Sequence, residues 1–386
     1  MDSFIKDKQI CMHLEDDRDR FIGAVVPPIF QNTLFIYPSF EELVEADSNQ
    51  QSHYVYSRGT NPSVEIVEEK LAALERGEVC KLFASGMAAI SAAVIHSVKS
   101  GDHVLCVSNT YKSTMALLKY IEKFNVSHSV VHSTKMEKIE QAIRANTKMI
   151  FLESPTDLTF QLIDLEQISK LARSKGICTV IDNTWATPLF QKPLTMGIDI
   201  VVHSASKYLG GHSDVLGGAL ITSQQIMKTI FQNEYLLMGG AMPPDQASLL
   251  LRGLRSLPFR MLGHQENALK VAQFLQRHPK VAKVNYPGLP GHADYELGKK
   301  QLTGYSGLMS FELKEANYEN VRNVINKMKT FKIGVSWGSF ESLVLSPNTE
   351  NNAETLLKEK ISPGTIRLAV GLEDVGELIY DLEQSI

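Results

Sequence analysis

The chain predicts an α/β fold built on a mainly parallel sheet, followed by a smaller carboxy-terminal α+β domain. From about residue 60 to 225, short β-branched apolar runs alternate with segments of helical period, as strands flanked by helices on both sheet faces require. After about residue 240 the alternation gives way to one long helical stretch near 244–278 and to fewer strands, such as 307–312 and 364–370. Before residue 60 the chain is rich in Pro, Ser, Asp and aromatic residues with weak periodicity, which reads as an arm packed on something else. The expected division is an arm over 1–59, an α/β domain over 60–243 and an α+β domain over 244–386.

The first clear helix opens at Asn61-Pro62. Asn61 can cap the free amides, Pro62 suits the first helical position, and Val64, Val67, Leu71 and Leu74 form an apolar stripe. Gly77 is expected to end it. Candidate strands follow at 102–107, 126–131, 148–152, 177–181, 198–203 and 217–221. Between them, segments such as 112–123, 135–145 and 164–175 carry helical periods.

Composition narrows the function. The 386 residues include 39 basic and 43 acidic side chains, a net charge of −4, with no run of five or six like charges. Nothing here offers the basic footprint that a nucleic-acid backbone needs. Four cysteines (Cys11, Cys80, Cys106, Cys178) are scattered with no C-x-x-C pair, as in a reducing compartment. The amino terminus is charged from its second residue and no apolar run reaches 18 residues, so no membrane association and a cytoplasmic location are expected. His128 and His132 are four apart but lie in a strand-like stretch without an H-E-x-x-H pattern, and no metal site is expected.

Three segments carry chemistry. In His203-Ser204-Ala205-Ser206-Lys207-Tyr208-Leu209-Gly210-Gly211, a lysine follows an apolar strand, with alternating hydroxyls before it and glycines after it. Alone, this is more often a solvated lysine before a turn. The functional reading is a lysine holding an aldehyde cofactor, with Ser204 and Ser206 reaching the cofactor phosphate. In Thr179-Val180-Ile181-Asp182, an apolar strand ends in a carboxylate at the rim where open α/β sheets bind ligands. Asp182 could cap the next helix or hold the pyridinium nitrogen of pyridoxal phosphate in its protonated form. In Ser85-Gly86-Met87-Ala88, a small-residue turn enters a helix whose amides can cradle an anion. Neither a dinucleotide nor a P-loop glycine pattern is present, so a phosphate monoester fits better.

Together these segments make the chain recognisable. It resembles the cystathionine-metabolising family of pyridoxal-phosphate enzymes over nearly all its length. The likeness rests on Tyr56-Ser57-Arg58-Gly59-Thr60-Asn61-Pro62, Ser85-Gly86-Met87, Tyr111, Asp182-Asn183-Thr184-Trp185-Ala186, Ser204-Ala205-Ser206-Lys207-Tyr208, Gly211-His212-Ser213-Asp214 and Arg367. The resemblance implies the aspartate-aminotransferase-like fold, fold type I, and pyridoxal 5'-phosphate as cofactor. It implies Lys207 as Schiff-base lysine and proton carrier, Asp182 as partner of the ring nitrogen and Tyr111 as the plate over the ring. Gly86, Met87, Ser204 and Ser206 would bind the phosphate, reached by Tyr56 and Arg58 from a neighbouring subunit, so a homo-oligomer is implied, commonly a tetramer built as a dimer of dimers. Arg367 would grip the substrate α-carboxylate in a bidentate pair.

Within the family, Leu152-Glu153-Ser154-Pro155, Leu237-Met238-Gly239, Arg252-Gly253-Leu254-Arg255, Ser336-Trp337-Gly338 and Gly371-Leu372-Glu373-Asp374 look most like bacterial cystathionine β-lyase; Ser336-Trp337 is the strongest of these markers, and the likeness places both residues at the substrate. The implied reaction is α,β-elimination of the thioether L-cystathionine to L-homocysteine, pyruvate and ammonia, a step of methionine biosynthesis. The γ-synthase and γ-lyase activities of the same family are the nearest alternatives. A pyridoxal-phosphate-binding regulatory protein is the alternative of another class. Lys112-Ser113-Thr114 stands where methionine γ-lyases carry a cysteine, which argues against methionine as the preferred substrate. Lys112 is itself unexpected in the family: it is either a solvated charge or a contact for the distal carboxylate or another polar end of the substrate. Asp157 is a second departure, since many γ-type members have asparagine there.

Overall fold

The computed structural model describes residues 3–13 and 21–386, and the rest of the expected arm lies outside the described residues. Seven strands form the first sheet: β1 (Val79–Phe83), β2 (His103–Val107), β3 (Ser127–Val131), β4 (Thr147–Glu153), β5 (Cys178–Asp182), β6 (Ile200–Ser204) and β7 (Gly218–Thr222). Their order is β1-β7-β6-β5-β4-β2-β3. β7 runs antiparallel to both neighbours while β2 to β6 pair in parallel, so the sheet is mainly parallel as predicted. Helices cover both faces, and β2 and β7 are buried along their whole length, which is why they read as unbroken apolar runs.

A second, five-stranded sheet follows: β8 (Val281–Asn285), β9 (Leu308–Leu313), β10 (Lys332–Ile333), β11 (Leu343–Leu345) and β12 (Thr365–Ala369), ordered β10-β11-β12-β9-β8. The helix Pro244–Arg277 precedes it. The buried Arg260 of that helix donates from Nη1 to the Tyr208 carbonyl at 2.8 Å and from Nη2 to the Gly253 carbonyl at 2.8 Å. It thereby fixes the backbone immediately after Lys207.

The helix Pro62–Glu75 forms as its sequence directs, with the Asn61 side chain accepting from the Ser63 amide at 2.9 Å and the predicted stripe buried. Its end differs. Arg76, not Gly77, takes the left-handed conformation, at φ 60°. Gly77 is required by packing instead, because a Cβ there would lie 2.3 Å from Ile221 Cγ2.

Two kinds of element escape the sequence reading. β1 carries Lys81 in its interior, a charge that masks a buried strand, and Glu68 of the neighbouring helix accepts from Lys81 Nζ at 2.8 Å in a buried pair. The arm holds two helices, Ser3–Met12 and Phe40–Ser48, the second capped by Ser39, whose hydroxyl accepts from the Glu42 amide at 3.2 Å. The arm leaves Ile22, Val25, Ile36 and Phe40 largely exposed. All four cysteines are free thiols, and no described helix is long and apolar enough to cross a membrane.

Candidate active site

The carboxyl ends of β4, β5 and β6 open into a cavity of about 690 Å³, closed on its other side by β11, β12 and the turn at Ser336. Ten of the sequence-predicted residues line it: Gly86, Met87, Tyr111, Asp182, Ser204, Ser206, Lys207, Ser336, Trp337 and Arg367. Tyr56 and Arg58 do not. They line a separate groove with Gly239, the Arg58 guanidinium 5.4 Å from the centre of the Tyr56 ring.

The anion cradle comes from close approach of three segments. Ser85 caps the helix Gly86–Ser97 by accepting from the Ala88 amide at 3.1 Å, which leaves the amides of Gly86 and Met87 outside the cap. A Cβ on Gly86 would lie 2.9 Å from the Ser204 Cβ, and one on Gly218 would lie 2.2 Å from the Ser85 carbonyl oxygen. Glycine at both positions lets the helix start press against the ends of β6 and β7. Ser206 Oγ accepts from the Gly217 amide at 2.9 Å, which aims the hydroxyl across the turn.

Asp182 ends β5, and register places Glu153 of β4 directly beside it. Thr184 donates to Asp182 Oδ1 from both amide and hydroxyl, and its hydroxyl also accepts from the Ser204 amide at 2.8 Å. Thr184 thus joins the Asp182 carboxylate to the anion cradle. Burial pushes the Asp182 carboxyl up, the Thr184 bonds pull it back, and the nearby His203 and Lys207 charges do the same. A carboxylate so placed stabilises a proton on a facing heterocyclic nitrogen. Behind it, His203 Nε2 bonds Glu75 Oε1 at 2.6 Å, and Glu75 also accepts from Asn183 Nδ2 at 2.8 Å. His203 is thereby a structural residue, as is His212, whose ring bonds the Gly210 carbonyl at 2.8 Å.

Lys207 Nζ donates to Ser336 Oγ at 2.6 Å and lies 5.7 Å from the centre of the Trp337 ring. Burial lowers the affinity of Lys207 for its proton, and the Arg367 charge lowers it further. That combination makes the amine easier to deprotonate, the direction a nucleophile and base requires. Ser336 holds φ 79°, in the left-handed region that a serine rarely adopts, and its carbonyl accepts from Arg367 Nη2 at 3.1 Å. At the adjoining turn Gly338, with φ 87°, packs so closely that a Cβ would lie 3.0 Å from Lys207 Cβ. The Ser336-Trp337-Gly338 turn is therefore seated directly on the lysine.

Three cavity-lining side chains have roles that the sequence reading missed. Glu153 accepts from the Tyr111 amide at 2.9 Å and anchors the start of the following helix. Burial and the Asp157 and Asp182 charges push its carboxyl well up. Asp157 faces Arg367 electrostatically, and Thr184 bridges as described. An acidic residue ending an apolar strand, as Glu153 ends β4, was the available signal. Trp185, within the recognised motif, also lines the cavity and donates from Nε1 to the Leu308 carbonyl at 3.0 Å. Among the described residues no group of three or more His, Cys, Asp or Glu side chains could hold a metal ion.

A half-buried lysine, a strand-end carboxylate and an uncapped anion cradle in one cavity fit pyridoxal 5'-phosphate, and fold and site together define a fold type I pyridoxal-phosphate enzyme. Residues 8–386 match the model of the Cys/Met metabolism PLP-dependent enzyme family, and the chain belongs to it. It is 38% identical to an L-methionine γ-lyase of Fusobacterium nucleatum, over 94% of both chains. It is 37% identical to a cystathionine γ-lyase of Bacillus subtilis over 99% of both, and 36% identical to a cystathionine β-lyase of Coxiella burnetii over 97% of this chain and 96% of that one. Among solved structures, a Campylobacter jejuni protein crystallised with N'-pyridoxyl-lysine-5'-monophosphate superposes with a TM-score of 0.91 at 32% identity, covering 98% of this chain and 99% of the other. The enzyme is thus a pyridoxal-phosphate-dependent lyase of the Cys/Met family. Its relatives divide between β- and γ-cleavage, so the family alone does not select the bond.

Proposed function

We propose that the enzyme cleaves L-cystathionine by α,β-elimination, taking up water and releasing L-homocysteine, pyruvate and ammonia. The observation that carries this reading is the contact of the Ser336-Trp337 turn with Lys207: the segment with the strongest β-lyase likeness holds the amine and the Arg367 guanidinium at once.

Arg367 would pair with the substrate α-carboxylate through its free donors, orienting Cα toward Lys207. Lys207 Nζ would take the Cα proton and later deliver a proton to the departing sulfur, one group serving as base and then acid. The cofactor, when bound, supplies an electron sink for the charge left at Cα. Asp182 would keep the proton on the ring nitrogen that makes this sink effective. Tyr111 would cover the ring face, while Gly86, Met87, Ser204 and Ser206 hold the phosphate. The direct test is purified enzyme with L-cystathionine. Pyruvate and homocysteine are expected; 2-oxobutyrate with cysteine would establish γ-cleavage, the reading favoured by the L-methionine γ-lyase relative.

The division into an arm, a cofactor domain over 60–243 and a carboxy-terminal domain over 244–386 belongs to the same proposal. Tyr56 and Arg58 would complete the phosphate site of a second copy, since in their own chain they line a different groove. Their separation and the exposed apolar arm support a homo-oligomer in which each site takes residues from two chains. Sedimentation of active enzyme should give a dimer or a tetramer. A fully active monomer overturns the shared site.

A further inference from the structure

One charge in the cavity has no role in the chemistry above. Three basic side chains line it: Lys207, Arg367 and Lys112. Lys207 is held by Ser336, and Arg367 faces Asp157 and bonds the Ser336 carbonyl. Of the three carboxylates of the cavity, Glu153 accepts from the Tyr111 amide and Asp182 from Thr184, while Asp157 feels the Arg367 charge. Lys112 has no ion pair or hydrogen bond among the described residues. It is also the first residue of the helix Lys112–Ile121, whose opening turn contains no acidic residue. A cation there opposes the helix dipole, so local stability does not explain it.

We infer that Lys112 is a specificity-determining residue that pairs with the second, distal carboxylate of the substrate. The inference rests on the lyase reading and names its substrate class: amino-acid thioethers charged at both ends, with Arg367 taking the α-carboxylate and Lys112 the far one. The distance in sequence between the two cations is bridged by the fold, since one opens the helix after β2 and the other lies on β12. A substrate whose far end is a methyl group leaves Lys112 solvated and gains nothing from it.

The test compares kcat/KM for L-cystathionine with that for S-methyl-L-cysteine, each by keto-acid release, in wild type, Lys112→Met and Lys112→Arg. The ratio should fall about tenfold in Lys112→Met, equivalent to about 1.4 kcal/mol, and return in Lys112→Arg. The loss should appear in KM for cystathionine rather than in kcat. An unchanged ratio overturns the inference, as does a loss of bound pyridoxal phosphate in Lys112→Met, which would assign the lysine to the cofactor. Wild type alone gives a second measure: S-(2-carboxyethyl)-L-cysteine should be preferred to S-propyl-L-cysteine, and equal preference contradicts the role. If the keto acid from cystathionine is 2-oxobutyrate, the β-lyase reading fails. The Lys112 ratio is then read on cystathionine against L-methionine.

Discussion

Lys207→Ala should lower cystathionine turnover by at least about 10³-fold, the scale of losing a positioned acid–base group. The size of the effect follows from having no substitute at the site. The other basic side chains of the cavity are a guanidinium that stays charged and the exposed Lys112. Of the three, Lys207 is the lysine whose surroundings lower its hold on the proton, and it is kept in place by the Ser336 hydroxyl at 2.6 Å. Borohydride reduction of wild-type holoenzyme followed by peptide mapping should place the cofactor label on the peptide containing Lys207, and the variant should take no label there. Thermal unfolding of the two apo proteins separates chemistry from folding. Removing an amine that is costly to bury charged should leave the variant no less stable than wild type. A Lys207→Ala enzyme with wild-type turnover would refute the assigned role.

Asp182→Asn should lower turnover by about 10²–10³-fold, comparable to deleting one preorganised electrostatic stabiliser. The substitution is nearly isosteric, and its amide oxygen can still accept the two Thr184 bonds, so the cradle should survive and cofactor content should stay close to wild type. What disappears is the negative charge proposed to face the ring nitrogen. Measuring kcat together with bound pyridoxal phosphate tells charge from structure. Equal losses of both would instead make Asp182 an anchor of the β5 end and Thr184, and would contradict the electronic role.

Most of the residues proposed to hold the cofactor are legible in the chain because each sits at the end of a regular element. Asp182 follows an apolar strand, Ser204 and Ser206 frame the exit of β6, and Gly86 opens a helix. Strand period and turn chemistry place such residues at the carboxyl edge of a parallel sheet without reference to any distant segment. Glu153 was open to the same reasoning, yet as one acidic residue in a resemblance motif its anchoring of Tyr111 stayed hidden. β1 was missed for a different reason. Lys81 makes it look exposed, and only Glu68, brought from the preceding helix, makes burial of that charge tolerable.

The sequence by itself determined the α/β architecture, the alternation of strands and helices and the lysine proposed as catalytic, because these follow from local period, capping and residue chemistry. The tertiary structure decided what meets what. It set the Ser336 turn against Lys207 across 129 positions of chain, placed Arg367 from the second sheet in the cavity of the first, and put Tyr56 and Arg58 outside it. It also left Lys112 lining that cavity with no partner among the described residues. Such meetings depend on close packing between elements far apart in the chain, a constraint that exists only once the core is formed.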